Sequence, residues 1–281
     1  MLNKIYTMAH RCNTKGWLDQ AIKWEANGIE CDVIKDKGKF YTWHGDAIGA
    51  GWEHLDVYLD YACKQLQRGV GKNVSLFIFD LKYDAKDKLK ASDINHIRQK
   101  VHDKLLNPIN GHLIPRERRG LYAFYGTYQG ASYVGELEKA MNHLPLKSRE
   151  GINYDANVPF LDPGDPNSTS PSEALKWRDA HNVSNFIYSA GIFAAGPSGP
   201  MERRLEEAGK LRRDHAFGVY GWTYNRAQSA ANIIKKYKID GVLGNTNENY
   251  GWLPSCFDYY GLKVYNKVNR YDWPPFLQKN D

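Results

Sequence analysis

The side chains best suited to chemistry in this sequence lie near its start. Glu30 and Asp32 stand two residues apart in Gly28-Ile-Glu-Cys-Asp-Val-Ile34. A strand sends alternate side chains to opposite faces, so the two carboxylates share one face and Cys31 and Val33 the other. Burying two carboxylates side by side is expensive unless a positive charge sits between them. A hard divalent cation such as Mg2+ or Ca2+ meets that need, since both take oxygen ligands. A third carboxylate, Asp80, follows the apolar run Val74-Ser-Leu-Phe-Ile-Phe79. Three carboxylates can hold one cation and leave positions for water and a phosphate oxygen, whose phosphoryl group the metal would polarise. His10 and His44, with ordinary pKa values near 6.5, can supply an acid and a base near neutrality, or one of them a nucleophile. Lys82 adds a positive charge for a phosphate. Tyr220 and Trp222 offer ring faces that attract a quaternary ammonium group.

The elements that must position these residues alternate between strand and helix. Ile5–His10 reads as a strand and Thr14–Asn27 as a helix stopping at Gly28. Ile29–Ile34 is a strand, followed by a charged turn at Lys35–Lys39 and a partner strand ending at His44. Next come a helix over Glu53–Gln67, a doubly buried strand over Val74–Leu81 and a helix over Ser92–Leu106 capped by Ser92. Strands at Leu121–Tyr125 and Ile152–Asn157 enclose a helix at Tyr133–His143, and a loop spans Asp162–Pro171. The helix over Pro171–His181 is opened by Ser170 and Pro171. A strand at Val183–Ser189, a Gly/Pro loop at Gly191–Gly199 and a helix at Pro200–Asp214 follow. Last are a strand at Phe217–Trp222, a helix at Arg226–Tyr237 and a strand at Gly241–Gly244. Eight strand-then-helix beats in about 250 residues predict an α/β fold, a single (β/α)8 TIM barrel, in which reactive groups gather at the C-terminal ends of the strands. His10, Glu30, Asp32, Asp80, Lys82, Tyr220, Trp222 and Asn245 all fall at that end. A lone histidine or strand aromatic is ordinarily structural; their shared end is what points to a site.

At 281 residues with 42% hydrophobic content, the chain can bury a sizeable core. No low-complexity linker divides it, so residues 1–281 read as one domain. The net charge of +6 suits an anionic lipid surface, but the basic residues are scattered, with no block suggesting nucleic acid. Cys12, Cys31, Cys63 and Cys256 form no Cys-x-x-Cys pair, which argues against zinc and leaves three disulfide pairings open. No apolar run reaches the roughly 20 residues of a spanning helix. No leader precedes Lys4, so the expectation is either a cytoplasmic protein or a mature secreted form.

Ala9-His10-Arg11, Gly28-Ile-Glu-Cys-Asp-Val33 and His44-Gly-Asp46 resemble the glycerophosphodiester phosphodiesterase superfamily of barrels. Phe79-Asp-Leu-Lys82, Tyr220-Gly-Trp-Thr223, Asp240-Gly-Val-Leu-Gly-Asn245 and Tyr271-Asp-Trp-Pro-Pro-Phe276 are more similar to its sphingomyelinase D branch, which includes phospholipase D toxins of spider venoms and some bacteria. The resemblance implies that His10 is nucleophile or base, His44 general acid, and Glu30, Asp32 and Asp80 the Mg2+ ligands. Lys82, Trp222, Tyr220, Asn245 and Arg11 would contact the substrate, Arg11 as an extra phosphate ligand. A C-terminal tail over residues 262–281 would plug the far end of the barrel. The implied reaction releases a choline or ethanolamine headgroup from sphingomyelin or a lysophospholipid, the substrate's own hydroxyl attacking to leave a cyclic phosphate. A secreted, peripheral, monomeric enzyme follows; a phosphodiesterase of soluble glycerophosphodiesters is the alternative, ahead of a non-enzymatic headgroup binder. The venom toxins brace the loop after the second histidine with a disulfide, whereas Asp46-Ala-Ile-Gly-Ala-Gly-Trp52 has no cysteine.

Overall fold

A computed structural model describes residues 5–44, 52–71, 73–82, 87–106, 121–128, 139, 149–156, 169–191, 199–212, 214–245 and 257–264. The elements are β1 (Tyr6–His10), α1 (Lys15–Lys23), β2 (Gly28–Asp36), β3 (Lys39–Thr42), β4 (Glu53–His54), α2 (Leu55–Gln67), β5 (Leu76–Leu81) and α3 (Ala91–Val101), which runs into a π-helical turn at His102–Leu106. They continue with β6 (Tyr122–Tyr128), β7 (Glu150–Asp155), α4 (Pro171–Ala180), β8 (Phe186–Gly191), α5 (Pro200–Leu211), β9 (Gly218–Trp222), α6 (Ala227–Tyr237) and β10 (Gly241–Asn245).

Eight of the strands are parallel and close on themselves in the order β1-β10-β9-β8-β7-β6-β5-β2, with β2 returning to β1. This is the (β/α)8 barrel that the alternation of elements predicts. Strand β2 is longer than its neighbours. Its first half pairs with β5 from Gly28 to Val33, and its second half turns back on β3 as an antiparallel hairpin joined by β4. The turn is narrower than the charge pattern suggests, Lys37 and Gly38 both at positive φ, and the returning strand ends at Thr42 rather than His44.

Because side chains alternate, one parity of each strand faces the helices and the other the barrel axis. Ala9, Ile29, Cys31, Val33, Phe77, Phe79 and Tyr125 join the core beneath the helices. Tyr6, Met8, Leu76, Ile78, Tyr122, Phe124, Ile187, Tyr220 and Leu243 form a second cluster inside the barrel. Burying a large apolar side chain contributes about 1.5–3 kcal/mol, so both clusters fix which residues face the axis. Gly28 marks a close approach between strands: a Cβ there would come within 2.4 Å of Met8 Cγ.

Two helix boundaries differ from the pattern-based expectation. Helix α1 ends at Lys23, five residues before Gly28 starts the next strand, because Glu25 turns the chain at φ 60°. Helix α3 starts after Lys90 rather than at Ser92, since the Asp93 carboxylate reaches back to accept the Lys90 N–H at 2.8 Å. Ser170 does cap α4: its hydroxyl accepts the Glu173 N–H at 3.2 Å while the Glu173 carboxylate accepts the Ser170 N–H at 2.9 Å. The helix expected at Tyr133–His143 apart from Lys139, most of the Asp162–Pro171 and Gly191–Gly199 loops, Cys256 and the tail beyond Val264 lie outside the described residues. Cys12 and Cys31 are buried free thiols on the helix side of the barrel wall.

Replacing Ser170 by Ala removes one side of the reciprocal cap. It is expected to lower unfolding free energy by about 1 kcal/mol in urea titration.

Candidate active site

The parity that places Met8, Ile78 and Leu243 inside the barrel places His10, Asp80 and Asn245 two residues further on, above the apolar cluster at the C-terminal rim. Strand register then chooses neighbours. Asp32 lies opposite Asp80, and His10 opposite Asn245. Ligand oxygens of Glu30, Asp32 and Asp80 lie within 4.8 Å of one another. His10, Arg11, Glu30, His44, Asp80, Lys82, Tyr220 and Trp222 border one cavity of about 190 Å3. All ten residues singled out in the sequence are thus brought together, Asp32 through the carboxylate cluster and Asn245 through His10.

The loop after β1 is laid across β2 by its backbone. Arg11 sits at φ 55°, in the left-handed region that L side chains disfavour. That turn aims the Arg11 N–H at Glu30 Oε2, 2.7 Å away, and the next residue's N–H, that of Cys12, bonds the Glu30 carbonyl at 2.8 Å. The Arg11 guanidinium reaches His44 Nε2 at 2.7 Å. A guanidinium has no acceptor, so Nε2 must accept and the His44 imidazole is neutral with its proton on Nδ1. Burial, opposed by Asp32 and reinforced by Lys82 and Arg11, lowers the His44 pKa.

His10 has the same tautomer for another reason. Its Nδ1 lies 2.6 Å from Asn245 Oδ1, and Asn245 Nδ2 donates to Asn225 Oδ1 at 3.2 Å, which fixes the amide's orientation. The oxygen accepts, so Nδ1 carries the proton. His10 Nε2 is left with its lone pair, 3.9 Å from Glu30 Oε2. Burial pushes the His10 pKa down to about 4, although the Asn245 bond and Asp32 favour the charged form.

Crowding of negative charge governs the rest. Burial, then repulsion from Asp32 and Asp80, raises the Glu30 pKa well above the usual carboxylate range. Burial would also raise Asp32, but Lys82 foremost, with His44 and the Asn13 amide, holds it at about 2. The Lys82 ammonium bridges Asp32 Oδ1 at 3.0 Å and Asp80 Oδ2. Burial works against that charge, yet Asp80 and Asp32 raise the lysine's pKa well above its usual value. Three oxygen-donor carboxylates, two of them buried, fit a hard divalent cation held by Glu30, Asp32 and Asp80. On β6, Gly126 contributes by its small size. A Cβ there would come within 2.8 Å of Asp80 Oδ1.

Three polar residues of the site escape a reading of the sequence by types. Asn153 and Asp155 of β7 line the cavity wall, and Asn13 holds Asp32 with two hydrogen bonds. For Asn153 and Asp155 there is a signal, the same two-residue spacing at a strand's C-terminal end that marks Glu30 and Asp32. For Asn13 there is none, because its partner lies on the neighbouring strand.

The closed barrel thus gathers an acidic triad, two neutral histidines, a lysine and an arginine around one rim cavity. Residues 2–252 match the Sphingomyelinase D/Phospholipase D family, and the chain belongs to it. A dermonecrotic toxin of Loxosceles spinulosa is 26% identical over 260 residues, covering 86% of this chain and 89% of the toxin. A sphingomyelinase D of Trichophyton rubrum is 23% identical over 270 residues, covering 92% of this chain and 72% of that protein. Among solved structures, a calcium-dependent phosphoinositol-specific phospholipase C from Pseudomonas sp. is 11% identical, covering 89% of this chain and 91% of that chain at a TM-score of 0.49, too slight a likeness to carry an argument. The chain is an enzyme of phospholipase D type. No helix among the described residues is long and apolar enough to cross a membrane.

The depressed His10 pKa fixes a pH dependence. Below about pH 6.5 the unfolded chain protonates this imidazole while the folded one resists until about pH 4, so stability falls on acidification across that window. Glu30, whose pKa is raised, acts in the opposite sense, so variants must be compared. His10→Gln is expected to lose about 3 kcal/mol less than the parent between pH 6.5 and 4, read by urea unfolding at each pH.

Proposed function

We propose that the chain is a Mg2+-dependent phospholipase D of sphingomyelinase D type, releasing choline or ethanolamine from sphingomyelin or lysophospholipids at a membrane surface. The observation that carries the reading is the convergence of Glu30, Asp32 and Asp80 with His10 and His44 on one cavity. Mg2+ held by the three carboxylates would polarise the phosphoryl group and offset its developing charge. His10 Nε2, the unprotonated ring nitrogen of its tautomer, takes the proton of the substrate's own attacking hydroxyl. The hydroxyl oxygen bonds to phosphorus and the bond from phosphorus to the headgroup oxygen breaks. His44 gives a proton to that oxygen, leaving a cyclic phosphate and the free headgroup alcohol. In a second route His10 Nε2 attacks phosphorus itself, the headgroup oxygen leaves with the proton from His44, and the substrate hydroxyl then displaces His10 to give the same cyclic phosphate.

Arg11 supplies the change of state His44 needs. A phosphodiester anion is a stronger acceptor for a guanidinium than a neutral imidazole. A bound phosphate therefore draws Arg11 away and lets His44 Nε2 take up a proton from solvent, the proton that it then gives to the leaving oxygen. Lys82 shares the phosphate charge, Tyr220 and Trp222 present ring faces to the ammonium headgroup, and Asn245 keeps His10 in the reactive tautomer.

The lipid surface is supported by aromatic residues beside the mouth. Just before His44, Tyr41 and Trp43 pack against Trp52, with ring centroids 5.5 and 6.3 Å apart. Tryptophan and tyrosine suit a boundary that is apolar on one side and wet on the other. The same reading takes residues 1–281 as one domain with its 262–281 tail at the far end of the barrel. It would work as a secreted monomer, in keeping with the toxins among its relatives.

Phosphorus NMR with sphingomyelin and lysophosphatidylcholine tests the reaction. A cyclic phosphate signal is expected with Mg2+ and not with chelator, and His10→Ala or His44→Ala should abolish it with the fold intact. Full turnover in either variant removes the mechanism. Turnover of glycerophosphocholine alone would instead assign the soluble-substrate alternative. Trp52→Ser is expected to slow hydrolysis of vesicle lipid at least about fivefold while leaving a monomeric short-chain substrate unaffected; a serine replacing one interfacial tryptophan forfeits on the order of 1 kcal/mol of contact.

A further inference from the structure

We infer that Asn13 is a positioning residue that sets cation affinity by fixing the Asp32 carboxylate and, through its own carbonyl, the hairpin that leads to His44. The inference rests on the cation reading proposed for Glu30, Asp32 and Asp80. Asn13 is 1% exposed, in the loop between β1 and α1. Its Nδ2 donates to Asp32 Oδ2 at 2.7 Å, and its Oδ1 accepts the Asp32 backbone N–H at 2.8 Å. The two bonds grip the same residue at both ends of its side chain, so the carboxylate cannot rotate without breaking one of them. Oδ2 is thereby committed to Asn13, and Oδ1 is turned towards Lys82 and the rim.

The backbone of Asn13 holds the other histidine's support. Its carbonyl accepts the Thr42 hydroxyl at 2.8 Å, and Thr42 is the last residue of β3, two before His44. The Trp43 N–H in turn bonds the Asp32 carbonyl at 3.2 Å. One buried asparagine therefore joins the loop that follows His10, the carboxylate of Asp32 and the strand that ends at His44. An outer-shell hydrogen bond to a ligating carboxylate typically governs metal affinity tenfold to a hundredfold.

A purely structural asparagine would change stability and leave affinity alone. The test is calorimetric titration of the full chain with Mg2+, without substrate, for the parent and Asn13→Ala, with urea midpoints measured alongside. Dissociation constants about 10- to 100-fold higher are expected for Asn13→Ala, with phospholipid turnover recovering towards the parent kcat at saturating Mg2+. An unchanged Mg2+ affinity with a lowered urea midpoint overturns the assignment. A parent chain that binds no Mg2+ overturns the cation reading beneath it, a distinguishable failure. Should Asn13→Ala not fold, Thr42→Val replaces it, removing the donor to the Asn13 carbonyl together with its longer contact to the Glu53 carbonyl at 3.5 Å. Weakening of about threefold or more sustains the inference, and parental affinity overturns it.

Discussion

Three carboxylates forced within reach of one another are the constraint on which the rest of this protein depends. Left alone, Glu30, Asp32 and Asp80 would repel, and burial would make each charge costlier still. Several polar groups at the rim answer that problem. Lys82 spans two of the acids, the Arg11 N–H caps the third, and Asn13 takes one oxygen of Asp32. The two histidines stay neutral although they stand among acids, because burial and the neighbouring cations outweigh the carboxylates. The result is a site with its negative charge concentrated at one point and its proton-accepting nitrogens beside it, which suits an anionic diester once a cation is held.

The barrel makes this arrangement tolerable by confining it to a thin layer. Along β1, β5 and β10 the inward-facing series runs Tyr6, Met8, His10, then Leu76, Ile78, Asp80, then Gly241, Leu243, Asn245. Polarity changes in one pleat, so the apolar cluster that stabilises the barrel lies directly under the groups that react. The overlong β2 adds what a plain barrel strand could not. Its second half leaves the barrel to pair with β3, and so brings His44 to the rim on a hairpin.

How much of this was legible in the sequence follows from the range of the forces involved. Alternation within one strand is local, and it puts Glu30 and Asp32 on one face; position at the strand ends is what groups Asp80, Tyr220 and Trp222 with them. Strand count and spacing gave the barrel, since closure needs only eight beats. Sequence pattern puts Glu30 and Asp32 near the end of a strand, whereas β2 runs on to Asp36, because the hairpin pairing that extends it depends on a partner strand. Ser92 has the residue type of a cap, but it is Asp93 that reaches back to Lys90, a choice between two adjacent polar residues that residue type alone does not decide. Asn13 was invisible for a deeper reason. Its side chain resembles any loop asparagine, and its meaning lies in a strand nineteen residues away.

Gly126 has a consequence for how such enzymes diverge. At Gly126, strand β6 gives the site clearance around Asp80 rather than a side chain. A single added methyl would press on a carboxylate while every acid, histidine and cation remained in place. Loss of activity in a lineage therefore need not leave a mark on any residue that does chemistry. A chain bearing the complete set of reactive groups can still be silent, and the alignment column that reveals it is the one in which nothing appears to be happening.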